Sequence, residues 1–161
     1  MEYKPRKNNK KAIIAILILL VGAVACIVIG TMGIGYTWLS QLLVILLVTA
    51  ILFIAVRYLL SEFVYTVSDG YLEVKKISSK IPVTMASVEI SGDDIIVKEK
   101  KDMSAYQVTR KEKFNVSMGA TELYWYIFTV NGEKQALVLE CEDSFACYLQ
   151  SLIENKKSDG E

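Results

Sequence analysis

The residue types that carry most enzyme chemistry are sparse in this chain. Histidine is absent from all 161 residues, which removes the commonest general base and the commonest metal ligand together. Three cysteines are present: Cys26, Cys141 and Cys147. Cys26 falls in a long apolar run, and the other two are too few for a disulfide framework and too sparse for a metal site. Without an imidazole to activate it, neither Cys141 nor Cys147 reads as a nucleophile. Carboxylates cluster twice: Asp93-Asp94 reads as a turn between strands, and Glu140/Glu142/Asp143 as the start of a helix. No glycine-rich phosphate loop follows a strand. These readings together point to a protein that is not an enzyme, with no catalytic residue, no metal and no cofactor.

Two residue groups fit binding chemistry instead. Lys75, Lys76 and Lys80 bracket the loop after the second strand and are candidates for lipid headgroups. Lysines also blunt exposed strand edges, and the charge balance favours that plainer role. Residues 61–161 hold 12 Lys/Arg against 17 Asp/Glu, a net charge of −5. Such a segment is repelled on average by an anionic leaflet and by nucleic acid, so no nucleic-acid partner is expected. The second group is Tyr124, Trp125 and Tyr126. At strand spacing these aromatics are first of all core; where partly exposed, they would offer a surface to a protein partner.

The elements that must position these groups divide the chain. Residues 12–60 carry one charge, Arg57, whereas the remainder is charge-rich. Ala12–Ile29, extended to Ile34, and Leu39–Leu60 are each long enough to cross a bilayer, and neither has the polar face of a soluble helix. The expected transmembrane helices are therefore about 12–34 and 39–60, joined by a turn containing Gly30, Gly33 and Gly35 and the interfacial aromatics Tyr36 and Trp38. Gly22, Cys26 and Gly30 recur every four residues, a small-residue stripe for close helix packing against the second helix or against another copy.

Residues 1–11 form a basic amino terminus, with Lys4, Arg6, Lys7, Lys10 and Lys11 against Glu2. The inter-helix turn carries no charge, so both termini are expected in the cytoplasm, with Arg57 snorkelling to the same interface. Ala23-Val24-Ala25-Cys26 also has the look of a lipoprotein cleavage site. Apolar sequence continues past Cys26, however, where a lipoprotein would have a polar tether, so a retained helix is expected.

Residues 61–155 read as a β domain that begins without a linker. Strands are expected at 63–67 and 71–77 around Ser68-Asp69-Gly70, and at Val88–Ser91 and Ile95–Glu99 as a hairpin around Gly92-Asp93-Asp94. Weaker strands follow at Ala105–Arg110 and Lys113–Ser117. Leu123–Val130 is apolar on both faces and reads as a central strand, closed by Asn131-Gly132 into a hairpin with Gln135–Glu140. Phe145, Tyr148, Leu149, Leu152 and Ile153 then fall on one face of a helix, and residues 156–161 form a disordered tail.

This layout, over roughly residues 62–155, resembles the bacterial pleckstrin-homology-like (PH-like) domains attached to paired transmembrane helices. The resemblance rests on Tyr65-Thr66-Val67-Ser68-Asp69-Gly70-Tyr71-Leu72 and on Leu137-Val138-Leu139-Glu140 leading into Glu142–Ile153. Ser78–Ala86 departs from the basic-glycine turn of that pattern. The resemblance implies a membrane hairpin plus a mainly-β domain: a partly open barrel of about seven antiparallel strands capped by the amphipathic helix. It implies no catalytic signature. By fold analogy, the expected function is a protein-interaction or oligomerisation platform at the inner leaflet of the cell membrane. Its partners would be membrane lipids and another membrane protein or a second copy. The alternatives are a lipid-headgroup or envelope-stress sensor and a small accessory subunit of a transporter.

Overall fold

The structure, a computed structural model, describes residues 1–32, 37–78, 81–100 and 103–158. The chain forms two units, residues 8–61 and residues 1–7 with 62 onward. The first is helical. Its helices α1 (Lys10–Thr31) and α2 (Thr37–Ile54) are predominantly apolar, charged only at Lys10 and Lys11, and α2 runs on as a π-helical turn over Ala55–Leu60. In that wider turn the Ser61 hydroxyl donates to the Val56 carbonyl, five residues back, at 2.8 Å. Lys10–Thr31 and Thr37–Leu60 are long and apolar enough to cross a membrane, at about 33 and 36 Å of rise. The expected extension of the first helix to Ile34 and the Gly33–Tyr36 part of the turn lie outside the described residues.

The second unit contains two four-stranded sheets and a helix. The first sheet is ordered β1 (Glu2–Tyr3), β2 (Glu62–Ser68), β3 (Tyr71–Ser78) and β4 (Ile81–Glu89), antiparallel throughout. The second is ordered β5 (Ile95–Lys98), β7 (Leu123–Val130), β8 (Glu133–Glu140) and β6 (Arg110–Phe114). Helix α3 (Asp143–Ser158) follows. Two tight hairpins fix the register. At Asp69-Gly70 and at Asn131-Gly132 both central residues have positive φ (52° and 80°; 52° and 82°). That turn matches the twist of the flanking strands and needs Asn, Asp or Gly at its centre.

Several sequence expectations are corrected here. Val88–Ser91 and Ile95–Glu99 do not form a hairpin: β4 and β5 belong to different sheets, and Gly92-Asp93-Asp94 carries the chain between them. Ala105–Thr109 is not strand, and Arg110 opens β6. A 3₁₀ turn at Ser104–Tyr106 lies there, in the crossover that joins β5 at one edge of the second sheet to β6 at the other. A crossover of this kind delivers the next strand parallel to its neighbour, and β6 does pair with β8 in parallel, so the strands are not all antiparallel. Within the expected turn segment Ser78–Ala86, Ser78 ends β3 and Ile81 to Ala86 belong to β4, with a bulge opposite Val74/Lys75. The sheets do not close into a barrel. Helix α3 continues through Lys156 and Lys157 to Ser158, past the expected end at Asn155; the tail beyond Ser158 lies outside the described residues.

The amino terminus is the largest addition. Met1–Tyr3 is not simply a basic flank but pairs with β2, Glu2 opposite Thr66 and Tyr3 opposite Tyr65. Backbone bonds join Met1 and Val67 in both directions at 2.6 and 2.7 Å.

The core explains why Leu123–Val130 is apolar on both faces. Tyr124, Tyr126 and Phe128 point between the sheets and join Tyr65, Leu72, Val74, Leu137 and Leu139 with Phe145, Leu149 and Ile153 of α3. Trp125 and Ile127 point the other way, with Ala136 and Val138, and are covered by Met103, Tyr106 and Val108 of the crossover loop. Each fully buried large apolar side chain contributes roughly 1.5–3 kcal/mol. The Tyr65 hydroxyl ties the sheets together at the centre. It donates to the Phe114 carbonyl at 2.8 Å and accepts the Glu140 N–H at 3.1 Å.

Candidate functional site

The acidic clusters are occupied in holding loops. Asp94 is buried at the turn between the sheets, where one carboxylate oxygen accepts the Ser91 N–H at 2.8 Å and the Tyr126 hydroxyl at 2.5 Å. Burial raises its pKa above the usual carboxylate range, and the two hydrogen bonds oppose that shift. Glu140 accepts the N–H groups of Val116 and Ser117 at 2.7 and 2.8 Å, pinning the segment after β6. Asp143 accepts the Tyr124 hydroxyl and pairs with Lys98 at 3.1 Å; these two bonds lower its pKa. No group of three or more potential metal-ligating residues occurs among the described residues.

The two thiols of the β domain sit in different settings. Cys141 is buried, and burial pushes its pKa up to about 12, which suppresses the reactive thiolate. Cys147 is exposed on α3. A nucleophile beside a base, the minimum for covalent catalysis, is not assembled from either of them.

Two of the three headgroup candidates diverge. Lys75 and Lys76 are consecutive on β3, opposite Thr84 and Val83, so they project to opposite faces of the sheet. Lys75 pairs with Glu73 at 2.7 Å. Lys80 lies outside the described residues. The partner-surface candidates are core: Tyr124, Trp125 and Tyr126 are 9%, 7% and 0% exposed. Burial of these aromatics follows from the crossover loop on one face and the first sheet on the other, so their side chains offer no open surface.

Trp125 nevertheless sits in a polar setting that strand periodicity could not reveal. Its indole N–H donates to Glu99 at 3.2 Å, and Lys111 bonds the same carboxylate oxygen at 3.2 Å. The Lys111 ammonium lies 3.7 Å from the indole centroid, a close cation–π contact. Glu99 and Lys111 flank the two ends of the crossover loop, so this cluster fastens the loop over the sheet.

In the helical unit the small-residue stripe faces α2. A Cβ at Gly22 would sit 3.8 Å from Leu47, and one at Gly30 would meet the Ser40 hydroxyl at 2.5 Å. Cys26 and Gly30 line a groove of about 510 Å³ with Thr31, Ser40, Gln41 and Val44.

A pair of helices long and apolar enough to cross a membrane, set between the first strand and the rest of a mainly-β domain, is the layout of a membrane-associated protein. A family profile described as a bacterial PH-like domain (DUF6106) matches residues 4–158, and the chain belongs to that family. Comparison with curated proteins and with solved structures gives no match.

Proposed function

We propose that the protein is a non-enzymatic, multi-pass component of the cytoplasmic membrane whose PH-like domain serves as a protein-interaction or oligomerisation platform at the inner leaflet. One observation carries this reading: residues 1–7 and residues from Glu62 onward build a single unit, and the apolar helices are inserted between them. A chain that leaves a domain and returns to it begins and ends on one side of the bilayer, which two crossings satisfy. The basic flank of Lys4, Arg6, Lys7, Lys10 and Lys11 supports the cytoplasm as that side. With both flanks attached, the domain has little freedom to leave the surface. What it offers there is strand edges. Among the described residues β4 and β5 each have a strand neighbour on one side alone, an arrangement suited to strand addition by a partner.

The sensor reading has less support, because Lys75 and Lys76 diverge. For an accessory-subunit role, the stripe of Gly22 and Gly30 is already turned towards α2. The platform reading is tested by crosslinking the tagged full-length protein in cells, followed by solubilisation and identification of co-purifying chains. A recurrent membrane partner or a second copy is expected; recovery of uncrosslinked monomer alone would end the proposal. Topology is checked separately. Cys147 and a cysteine at Glu2→Cys should both react with an impermeant thiol reagent only after the cytoplasmic face is opened.

A further inference from the structure

The first sheet carries an apolar end that the core does not use. The opening five residues of β4, Ile81 to Met85, are all exposed, with Ile81, Val83 and Met85 at 67%, 52% and 49%. Val83 lies opposite Lys76, and Ile81 opposite Ser78. The register says which end of the sheet this is. Glu62 is opposite Ile77, and Ile77 is opposite Pro82, so Glu62 and Pro82 are two strands apart on one line across the sheet. At the usual spacing that is about 10 Å. Glu62 follows directly on Ser61 and the apolar run ending at Leu60. The other connection leaves by the same end: β1 runs antiparallel to β2, and Lys4, just past it, pairs with Glu62 at 2.6 Å. Both chain connections to the apolar helices, and the exposed apolar start of β4, therefore share one end of the domain.

We infer that Ile81 and Val83, with Met85 beside them, dip into the interfacial layer of the bilayer that holds the chain's own helices, giving the domain a third point of attachment. The inference rests on the membrane reading of those helices. Its occupant is lipid, because the tip is held about 10 Å from Glu62, the first domain residue after the apolar segment, and the upper acyl chains are the apolar phase that this anchor supplies. Attachment at two flanks raises the effective concentration of the tip at the surface, so weak insertion suffices. The contact is apolar in kind: the net charge of −5 over residues 61–161 disfavours electrostatic adhesion to an anionic leaflet. Insertion of the apolar tip therefore needs no anionic lipid.

The test uses the full chain with its native cysteines replaced by serine, reconstituted in phosphatidylcholine vesicles. Single cysteines at Ile81→Cys, Val83→Cys, Glu89→Cys and Ile18→Cys carry an environment-sensitive fluorophore. Glu89 lies at the opposite end of β4, paired with Tyr71 beside the β2–β3 turn. Intact folding is checked by the emission of buried Trp125 in a Trp38→Phe background. Labels at 81 and 83 should be quenched several-fold more by lipid-borne quenchers than the label at 89. Labels at 81 and 83 that respond like 89 to aqueous iodide would overturn the inference. Shielding from both quenchers would mean a protein cover, a second copy or a partner, and would overturn it equally. Failure of lipid quenching at Ile18 would instead remove the membrane reading itself, and this inference with it.

Discussion

Tyr3 and Phe145, from opposite ends of the chain, stack with ring centroids 4.6 Å apart, and the Tyr3 hydroxyl accepts the Glu142 N–H at 2.9 Å. The contact fastens the amino-terminal strand to the start of α3, so the amino terminus is a working part of the β domain. Tyr3→Phe should cost about 1 kcal/mol through the lost hydrogen bond. Tyr3→Ala should cost about 2–3 kcal/mol, since the half-buried ring goes as well. Thermal unfolding of the detergent-solubilised full chain, followed by Trp125 emission with Trp38→Phe, measures both. Equal stability of all three proteins would show that the strand is dispensable.

Gly92 and Gly132 are required for different reasons. A Cβ at Gly92 would lie 2.8 and 2.9 Å from the Lys157 backbone, so the turn between the sheets and the end of α3 approach too closely for any side chain. At Gly132 space is open, but φ is +82°. Alanine should destabilise at both positions, by about 1–3 kcal/mol at Gly92 through overpacking and by about 1–2 kcal/mol at Gly132 through strain. Asparagine separates the causes: it tolerates positive φ and should recover stability at Gly132 while remaining damaging at Gly92.

Asp94 and Asp143 should give opposite pH dependences. Burial raises the folded pKa of Asp94 above its ordinary 3.8, so the folded state binds the proton more tightly than the unfolded chain. Its contribution is full below that ordinary value and is lost as pH rises through the folded pKa. Asp143 is held low by the Tyr124 hydroxyl and Lys98, so its contribution is present above the ordinary value and lost as pH falls through the folded pKa. Unfolding midpoints measured across the acid range should lose their decline with rising pH in Asp94→Asn. In Asp143→Asn they should lose part of their fall at the acid end. Slopes identical to the unmodified chain would contradict both assignments.

The stripe on α1 should be uneven in its tolerance. Gly22→Ala meets only ordinary contact with Leu47, whereas Gly30→Ala must displace the Ser40 hydroxyl, and the Ser40 Cβ stands 3.3 Å away. Resistance of the helix pair to SDS, followed by far-UV circular dichroism, should be unchanged by Gly22→Ala and lowered by Gly30→Ala. Ser40→Gly should restore it in the double variant, since the obstructing side chain is then gone.

The sequence by itself determined whatever depends on local composition and period. Continuous apolar runs without a polar face define α1 and α2. Asp69-Gly70 and Asn131-Gly132 define their hairpins because few residues tolerate positive φ. Phe145, Leu149 and Ile153 define the buried face of α3, and doubled alternation marks Leu123–Val130 as covered on both sides. Tertiary structure decided what rests on contacts between distant residues. Gly92-Asp93-Asp94 has the composition of a hairpin turn, but Gly92 is needed for the approach of Lys157, and the turn leads into another sheet. The parallel pairing of β6 with β8 follows from a crossover loop whose fastening, Glu99 and Lys111 around Trp125, no strand pattern encodes. A strand of two residues carries no period at all. Glu2 and Tyr3 become a strand because β2 offers them an open edge and Phe145 a ring to stack on, and both come from chain more than fifty residues away.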